Sequence, residues 1–92
     1  MEIEFDAAKD EANRLKHGVS LRGAAGLDWD RLVTRIDTRR DYGELREIGL
    51  GTIGQRLYCV VFVRLTDACC RIISLRRANV REKRAHEKAQ AD

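Results

Sequence analysis

Arg76 and Arg77 stand where an alternating run, RIISL, gives way to a basic helical one, NVREKRAHEK. Guanidinium groups stay protonated and grip phosphate oxygens in pairs, so arginines at a strand end suit phosphate recognition. Arginine is a poor base for the same reason. Proton transfer must therefore come from elsewhere, and the candidates are Glu44, His17, Lys16 and His86. Each has an ordinary structural reading beside the chemical one. Glu44 suits an exposed turn or a salt bridge to Arg46. His17 and Lys16 suit the last turn of a helix, where the macrodipole favours cations. His86 suits a helix surface. The chain has no H-E-x-x-H, no paired Asp-x-Asp and no Cys/His cluster, so no motif calls for a metal or other cofactor. One chemistry such side chains could serve without a metal is cleavage of an RNA backbone. The 2′-hydroxyl is the nucleophile, a base takes its proton, an acid protonates the leaving oxygen, and cations meet the charge on phosphate.

Strand alternation decides which of these groups share a face. Ile72, Ser74 and Arg76 fall on one side of the last strand, and Arg71, Ile73, Leu75 and Arg77 on the other. Ile73 and Leu75 read as the core set, which leaves Ser74 and Arg76 on the open side. Arg77 lies at the strand end, where alternation no longer decides. Glu44 and Arg46 share a face of the second strand, and Arg64 closes the Tyr58, Val60, Phe62 face of the central one. The expectation is that Arg46, Arg64 and Arg76 converge. Tyr42 and Trp29 read as turn and core residues, and Lys9 and Asn13 as capping or packing partners on one helix face.

The elements that must carry these residues are legible in outline. MEIEF alternates as a short strand, and Asp6 reads as a helix N-cap. Ala8, Ala12 and Leu15 form a helical stripe, and Lys16-His17-Gly18 ends it. Ser20 caps a second, shorter helix to about Leu27, weakened by Gly23 and Gly26. From Arg31 the period becomes two. Strands are predicted over 32–38, 44–50, 57–64 and 69–76. The intervening turns fall at Asp41-Tyr42-Gly43, Gly51 to Gly54 and Thr66-Asp67-Ala68. Asn79 with Glu82 three residues on forms a capping box for a last helix, Val80 to near Ala89. That helix is poor in apolar residues and docks weakly or serves partner contact. The sum is a single α+β domain over 1–92. Two N-terminal helices pack on an antiparallel sheet of about four strands, followed by a C-terminal helix.

Bulk properties agree. At 92 residues the core is thin, with five aromatics, Phe5, Trp29, Tyr42, Tyr58 and Phe62. Residues 71–92 hold seven of the eighteen basic residues against three of the fifteen acidic ones; the preceding seventy hold eleven against twelve. Positive charge gathered at one end favours an anionic partner, although a solvated helix face is its commonest meaning. Three cysteines, Cys59, Cys69 and Cys70, read as reduced packing residues. Without a signal peptide or a membrane-length apolar run, the expected location is cytoplasmic.

Three stretches resemble one family. FDAAKDEANRLKHGVSL is similar to the opening of BrnT-type toxins, W-D-x-x-K-x-x-x-N-x-x-K-H-G-V, through Asp6, Lys9, Asn13, Lys16, His17, Gly18 and Val19. DTRRDYGELREIGLG resembles the family's D-x-R-x-D-Y-G-E-x-R segment. RIISLRRANVREKRAHE resembles its R-I-I-S-x-R-x-A-x-x-x-E-x-x-x-Y/H ending. Phe5 replaces the usual tryptophan, and His86 stands where tyrosine is frequent. The resemblance implies a RelE-like fold and the toxin of a type II toxin–antitoxin system, a metal-independent endoribonuclease that cuts RNA and slows growth. It implies a cognate BrnA-type ribbon-helix-helix antitoxin, a hetero-oligomer with it, and operator DNA bound through it. Within the pattern Arg39 gains weight as a phosphate contact. The resulting site is catalytic Arg76, Arg64, Arg46, Glu44 and His86, with Lys16, His17, Arg39, Arg77 and Ser74 on RNA. The alternative is a toxin-derived binding module without catalysis, acting as antitoxin partner and co-repressor.

Overall fold

In a computed structural model, which describes residues 1–91, the chain forms a five-stranded sheet with helices on both faces. The elements are β1 (Glu2–Glu4), α1 (Ala7–His17), two 3-10 segments (Leu21–Gly26 and Trp29–Arg31), β2 (Val33–Ile36), β3 (Glu47–Ile53), β4 (Arg56–Thr66), β5 (Cys69–Arg77) and α2 (Val80–Ala91). The spatial order is β1-β5-β4-β3-β2. β2 to β5 form an antiparallel meander, and β1 lies parallel to β5 through Glu2↔Cys69 to Glu4↔Arg71. The expected four-stranded antiparallel sheet is thus corrected to a mixed sheet of five. Among the described residues no helix is long and apolar enough to cross a membrane.

The expected second helix is a six-residue 3-10 segment. Its closing bonds run three residues back, Gly23 N to Ser20 O at 3.0 Å and Leu27 N to Ala24 O at 3.2 Å. Two glycines in six residues favour this tighter, shorter form over an α-helix. The expected loop at 51–54 is also corrected. β3 runs to Ile53, and the turn needs only Gly54 and Gln55, with Gly54 at φ 62°. Gly49 and Gly51 are strand residues whose missing side chains make room for Leu32. A Cβ on Gly51 would lie 2.5 Å from Leu32 Cδ1.

One face of the sheet is covered by the 3-10 segment and the N-terminal elements. Here Leu21, Ala24, Leu27, Val60, Phe62, Cys70, Ile72 and Leu75 form the main core. Trp29 meets Phe62 edge-on, with ring centroids 5.3 Å apart, and its indole N–H donates to Ala24 O at 3.0 Å. The opposite, open face carries a smaller cluster, Ile48, Cys59 and Val61, with Leu50 and Ile73 beside it.

Neither helix docks through the apolar stripe that periodicity suggests. On α1, Ala8, Ala12 and Leu15 are exposed, Leu15 at 84%, while Asn13 is buried and Asp10 and His17 are half-buried. Asp10 Oδ1 accepts from Ser20 Oγ at 2.9 Å and from Leu21 N at 2.7 Å. Asn13 Nδ2 donates to Val19 O and Leu75 O, both at 2.8 Å, and its Oδ1 accepts from Leu75 N at 3.2 Å. The cause lies in β5. β1 pairs only with Cys69 to Arg71, so the outer backbone groups of Leu75 have no strand beside them. The carboxamide of Asn13, one acceptor and two donors, takes the place of the missing strand.

Candidate functional site

A register shift decides which residues of β5 face the open side. Val61 pairs with Ser74, but Phe62 pairs with Ile72, so β5 has one residue more than β4 at this point. The bulge puts Ile73 and Ser74 on the same side. Strict alternation placed Ile73 in the main core with Leu75. Instead Ile72 and Leu75 are fully buried on the covered side, and Ile73 joins the open-face cluster. Ser74 and Arg76 do lie on the open side, opposite Val61 and Cys59.

A cavity of about 340 Å³ opens over this surface. Ile48, Cys59, Val61, Ile73 and Ser74 form its floor, and basic side chains form its walls: Lys16 and His17 at the end of α1, Arg35 on β2, Arg39 and Arg46 from the loop before β3, and Arg76 at the end of β5. Glu82 is the one carboxylate in the lining. Burial pushes the Cys59 thiol up, which suits a packing group.

Each wall residue has an identifiable anchor. Gly18 at φ 71° stops α1 and lets its N–H return to Arg14 O at 2.8 Å, which leaves Lys16 and His17 on the final turn. Asn13 fixes that turn to β5. Arg39 is gripped by the buried Asp37, with Nε to Oδ1 and Nη2 to Oδ2 both at 2.8 Å and the Arg39 backbone N to Oδ1 at 3.1 Å. This partner holds the Asp37 carboxyl well below the usual range and raises Arg39 further. Asp37 N donates in turn to Arg46 O at 2.8 Å, joining the two arginines. Arg46 stacks on Tyr42, 4.1 Å from the ring centroid, and Nε donates to Glu44 Oε2 at 3.0 Å. Arg76 donates Nη1 and Nη2 to the two oxygens of Glu82 at 2.7 and 2.9 Å. Glu82 also completes the capping box: Asn79 N donates to Oε1 at 2.9 Å and Glu82 N donates to Asn79 Oδ1 at 2.8 Å. One carboxylate therefore starts α2 and clamps β5. Its bond to Arg76 holds Glu82 low and Arg76 high.

Burial, Lys16 and Arg76 together push His17 below its ordinary value of 6.5. Near neutral pH its imidazole is uncharged and able to accept a proton.

Six sequence-predicted residues thus meet at one cavity: Lys16, His17, Arg39, Arg46, Ser74 and Arg76. Four do not line it. Arg64 shares the covered side with Phe62, sitting 5.5 Å from that ring, and pairs with Glu47 at 3.2 Å; the expected convergence with Arg46 and Arg76 is therefore corrected to those two alone. Glu44 stands behind Arg46 and reaches Arg71 at 3.7 Å. Arg77 and His86 line a different cavity. Sequence reasoning missed Arg35, because β2 is a four-residue edge strand with little alternation. It read Glu82 only as a helix cap, although its spacing from Asn79 also set it beside Arg76. Among the described residues no group of three or more His, Cys, Asp or Glu gathers as a metal site.

A family model described as the ribonuclease toxin, BrnT, of type II toxin–antitoxin systems matches residues 5–82. Among solved structures the chain is similar to the crystal structure of the Brucella abortus ribonuclease toxin, BrnT. Identity is 23%, the match covers 86% of this chain and 97% of that one, and the TM-score is 0.59. At that identity the likeness speaks for the fold. No curated protein matches the chain.

Proposed function

The chain belongs to the BrnT family of ribonuclease toxins of type II toxin–antitoxin systems, and we propose that it acts as a metal-independent endoribonuclease at the open-face cavity. The observation that carries this reading is the meeting of His17 with Lys16, Arg39, Arg46 and Arg76 over one floor; burial and the neighbouring cations hold His17 below its ordinary value. His17 takes the proton of the 2′-hydroxyl. The freed oxygen attacks the adjacent phosphorus, and the 5′-oxygen leaves with its bonding pair. The ammonium of Lys16 protonates that oxygen. The products are a 2′,3′-cyclic phosphate and a 5′-hydroxyl end, and His17 and Lys16 return to their starting states by exchange with water. Arg76, Arg46 and Arg39 meet the charge that grows on the phosphate oxygens. Arg35 and Ser74 extend the surface on which the strand lies, and Glu44 positions Arg46.

The two oxygens of Glu82 occupy the fork of Arg76 as phosphate oxygens would. RNA binding exchanges this carboxylate for a phosphate. A cognate BrnA-type ribbon-helix-helix antitoxin, presenting carboxylates to the same arginines, neutralises the toxin in a cytoplasmic hetero-oligomer. That complex binds operator DNA through the antitoxin. The family's type II assignment and the cationic end of this chain support that partner.

One observation favours the second reading, a non-catalytic module that serves as antitoxin partner and co-repressor. Arg76 and Arg46 already have carboxylate partners. The two readings separate in one experiment. The chain is expressed alone and with the adjacent gene in a bacterium, and the purified protein is given RNA with a chelator present. Growth arrest, relief by the neighbour, and chelator-resistant cleavage that His17→Ala slows by about 100-fold or more support the enzyme. Normal growth with salt-sensitive binding of uncut RNA supports the module.

A further inference from the structure

A second cavity, about 400 Å³, lies between the β3–β4 hairpin, the end of β5 and the flank of α2. Arg56, Arg77, Lys83 and His86 line it, with Glu87 as its one carboxylate. Among the described residues, Arg56, Arg77 and Lys83 have no ion-pair partner, in contrast to Arg39, Arg46 and Arg76 of the candidate site. Three cations beside a single carboxylate leave net positive charge, and an anion between them relieves their repulsion. A second observation points the same way. The Nδ1 atom of His86 is buried and has no hydrogen-bond partner. Buried polar atoms are nearly always paired, and a phosphate oxygen can accept from this nitrogen in the tautomer that protonates it.

We propose that this cavity binds a backbone phosphate of the same RNA strand that occupies the candidate site, beyond the point of cleavage. The inference rests on the ribonuclease reading for the identity of the strand. The two cavities meet at the end of β5, where Arg76 lines the candidate site and its chain neighbour Arg77 lines this cavity. α2 lies between, offering Glu82 to the first and Lys83 and His86 to the second. The helix that carries so little apolar surface thus supplies polar groups to both cavities. The RNA footprint is longer than the reacting nucleotides, and the basic residues of α2 help to set its length.

The chain holds two histidines, one at each cavity, so imidazole resonances report the sites separately. The ligand is a 2′-O-methyl oligonucleotide of about 12 nucleotides, within the span one small domain covers; it has no 2′-hydroxyl to react. Expected is a shift of both imidazoles on titration into the full chain. In the double variant Arg56→Gln/Lys83→Gln the His86 shift disappears and the His17 shift stays. The slope of log affinity against log salt becomes shallower by roughly 0.7, the amount for one lost phosphate contact. A shift at His17 alone would remove the second site and leave the ribonuclease reading standing. No shift at either histidine would remove both. Persistence of the His86 shift in the double variant overturns the phosphate assignment. So does an equal His86 shift from inorganic phosphate at the same phosphate concentration, because the site would then take free anions rather than a strand.

Discussion

The two faces of the sheet are built by opposite rules. The covered face is closed by side chains from Leu21 to Leu75 that exclude water, with Phe62, Ile72, Val60 and Leu75 fully buried. On the open face three buried residues, Ile48, Cys59 and Val61, sit among cations. The helix over it, α2, is exposed along its described side chains except at Glu82 and His86, one turn apart. A small domain cannot close both faces with apolar surface, since its core is limited by its size. Stability is concentrated on one side, which frees the other for a charged surface that packing alone would never favour.

Four measurements would break or sharpen that contrast. Phe62→Ala empties the centre of the covered face and should cost about 3–5 kcal/mol in urea denaturation. A loss under about 1 kcal/mol would mean that the two faces share the work of holding the fold. Arg76→Ala should lower the cleavage rate by about 100- to 1000-fold. Its effect on stability should stay near or below about 1 kcal/mol, because both partners of the Arg76–Glu82 pair keep contact with solvent. If unfolding suffered and cleavage did not, the open face would be structural after all. Asn13→Ala leaves the Leu75 N–H and C=O buried and unpaired, at a cost of about 1–3 kcal/mol. It should also slow cleavage, since the same amide fixes the turn that bears His17.

The smallest effect is a pH dependence. His17 is held below 6.5 in the folded chain, so the unfolded chain binds more protons between that lowered value and 6.5. Stability from this group is therefore complete above 6.5 and falls as pH drops through the lowered value. The acid limb of the cleavage profile should have its midpoint below 6.5. An NMR titration of the His17 imidazole checks it directly, and Arg76→Ala should move that midpoint upward by removing one of the causes. A midpoint at or above 6.5 would take from His17 its role as the base.

Local rules recovered what local chemistry controls. Gly18 ends α1, Asn79 and Glu82 cap α2, and the strand content of 57–64 and 69–76 is present. Alternation failed at Ile73, because a bulge arises from how two strands register and leaves no mark on either alone. It failed differently on α1. Ala8, Ala12 and Leu15 repeat at helical spacing yet face solvent, since Asp10 and Asn13 find backbone partners that exist only after folding. Arg64 was placed on the correct side of its strand, but which side carried the chemistry was not legible without the 3-10 segment in place. The BrnT resemblance reached the family, and the geometry then divided the ten expected site residues between the cavity, its rim, a second cavity and, for Arg64, the covered side.

Asn13 and Leu75 are separated by 62 residues, and this sets a timetable. Chains emerge from the ribosome at about 5–20 residues per second, N-terminus first. The segment bearing His17 and Lys16 is thus made several seconds before the strand that anchors it. Arg76 and Glu82 arrive later still. A nascent chain carries no assembled candidate site until β5 and Glu82 have been translated, and a product truncated before β5 lacks both the anchor of α1 and Arg76. For a member of a toxin family, that order of arrival would leave incomplete copies without the proposed site.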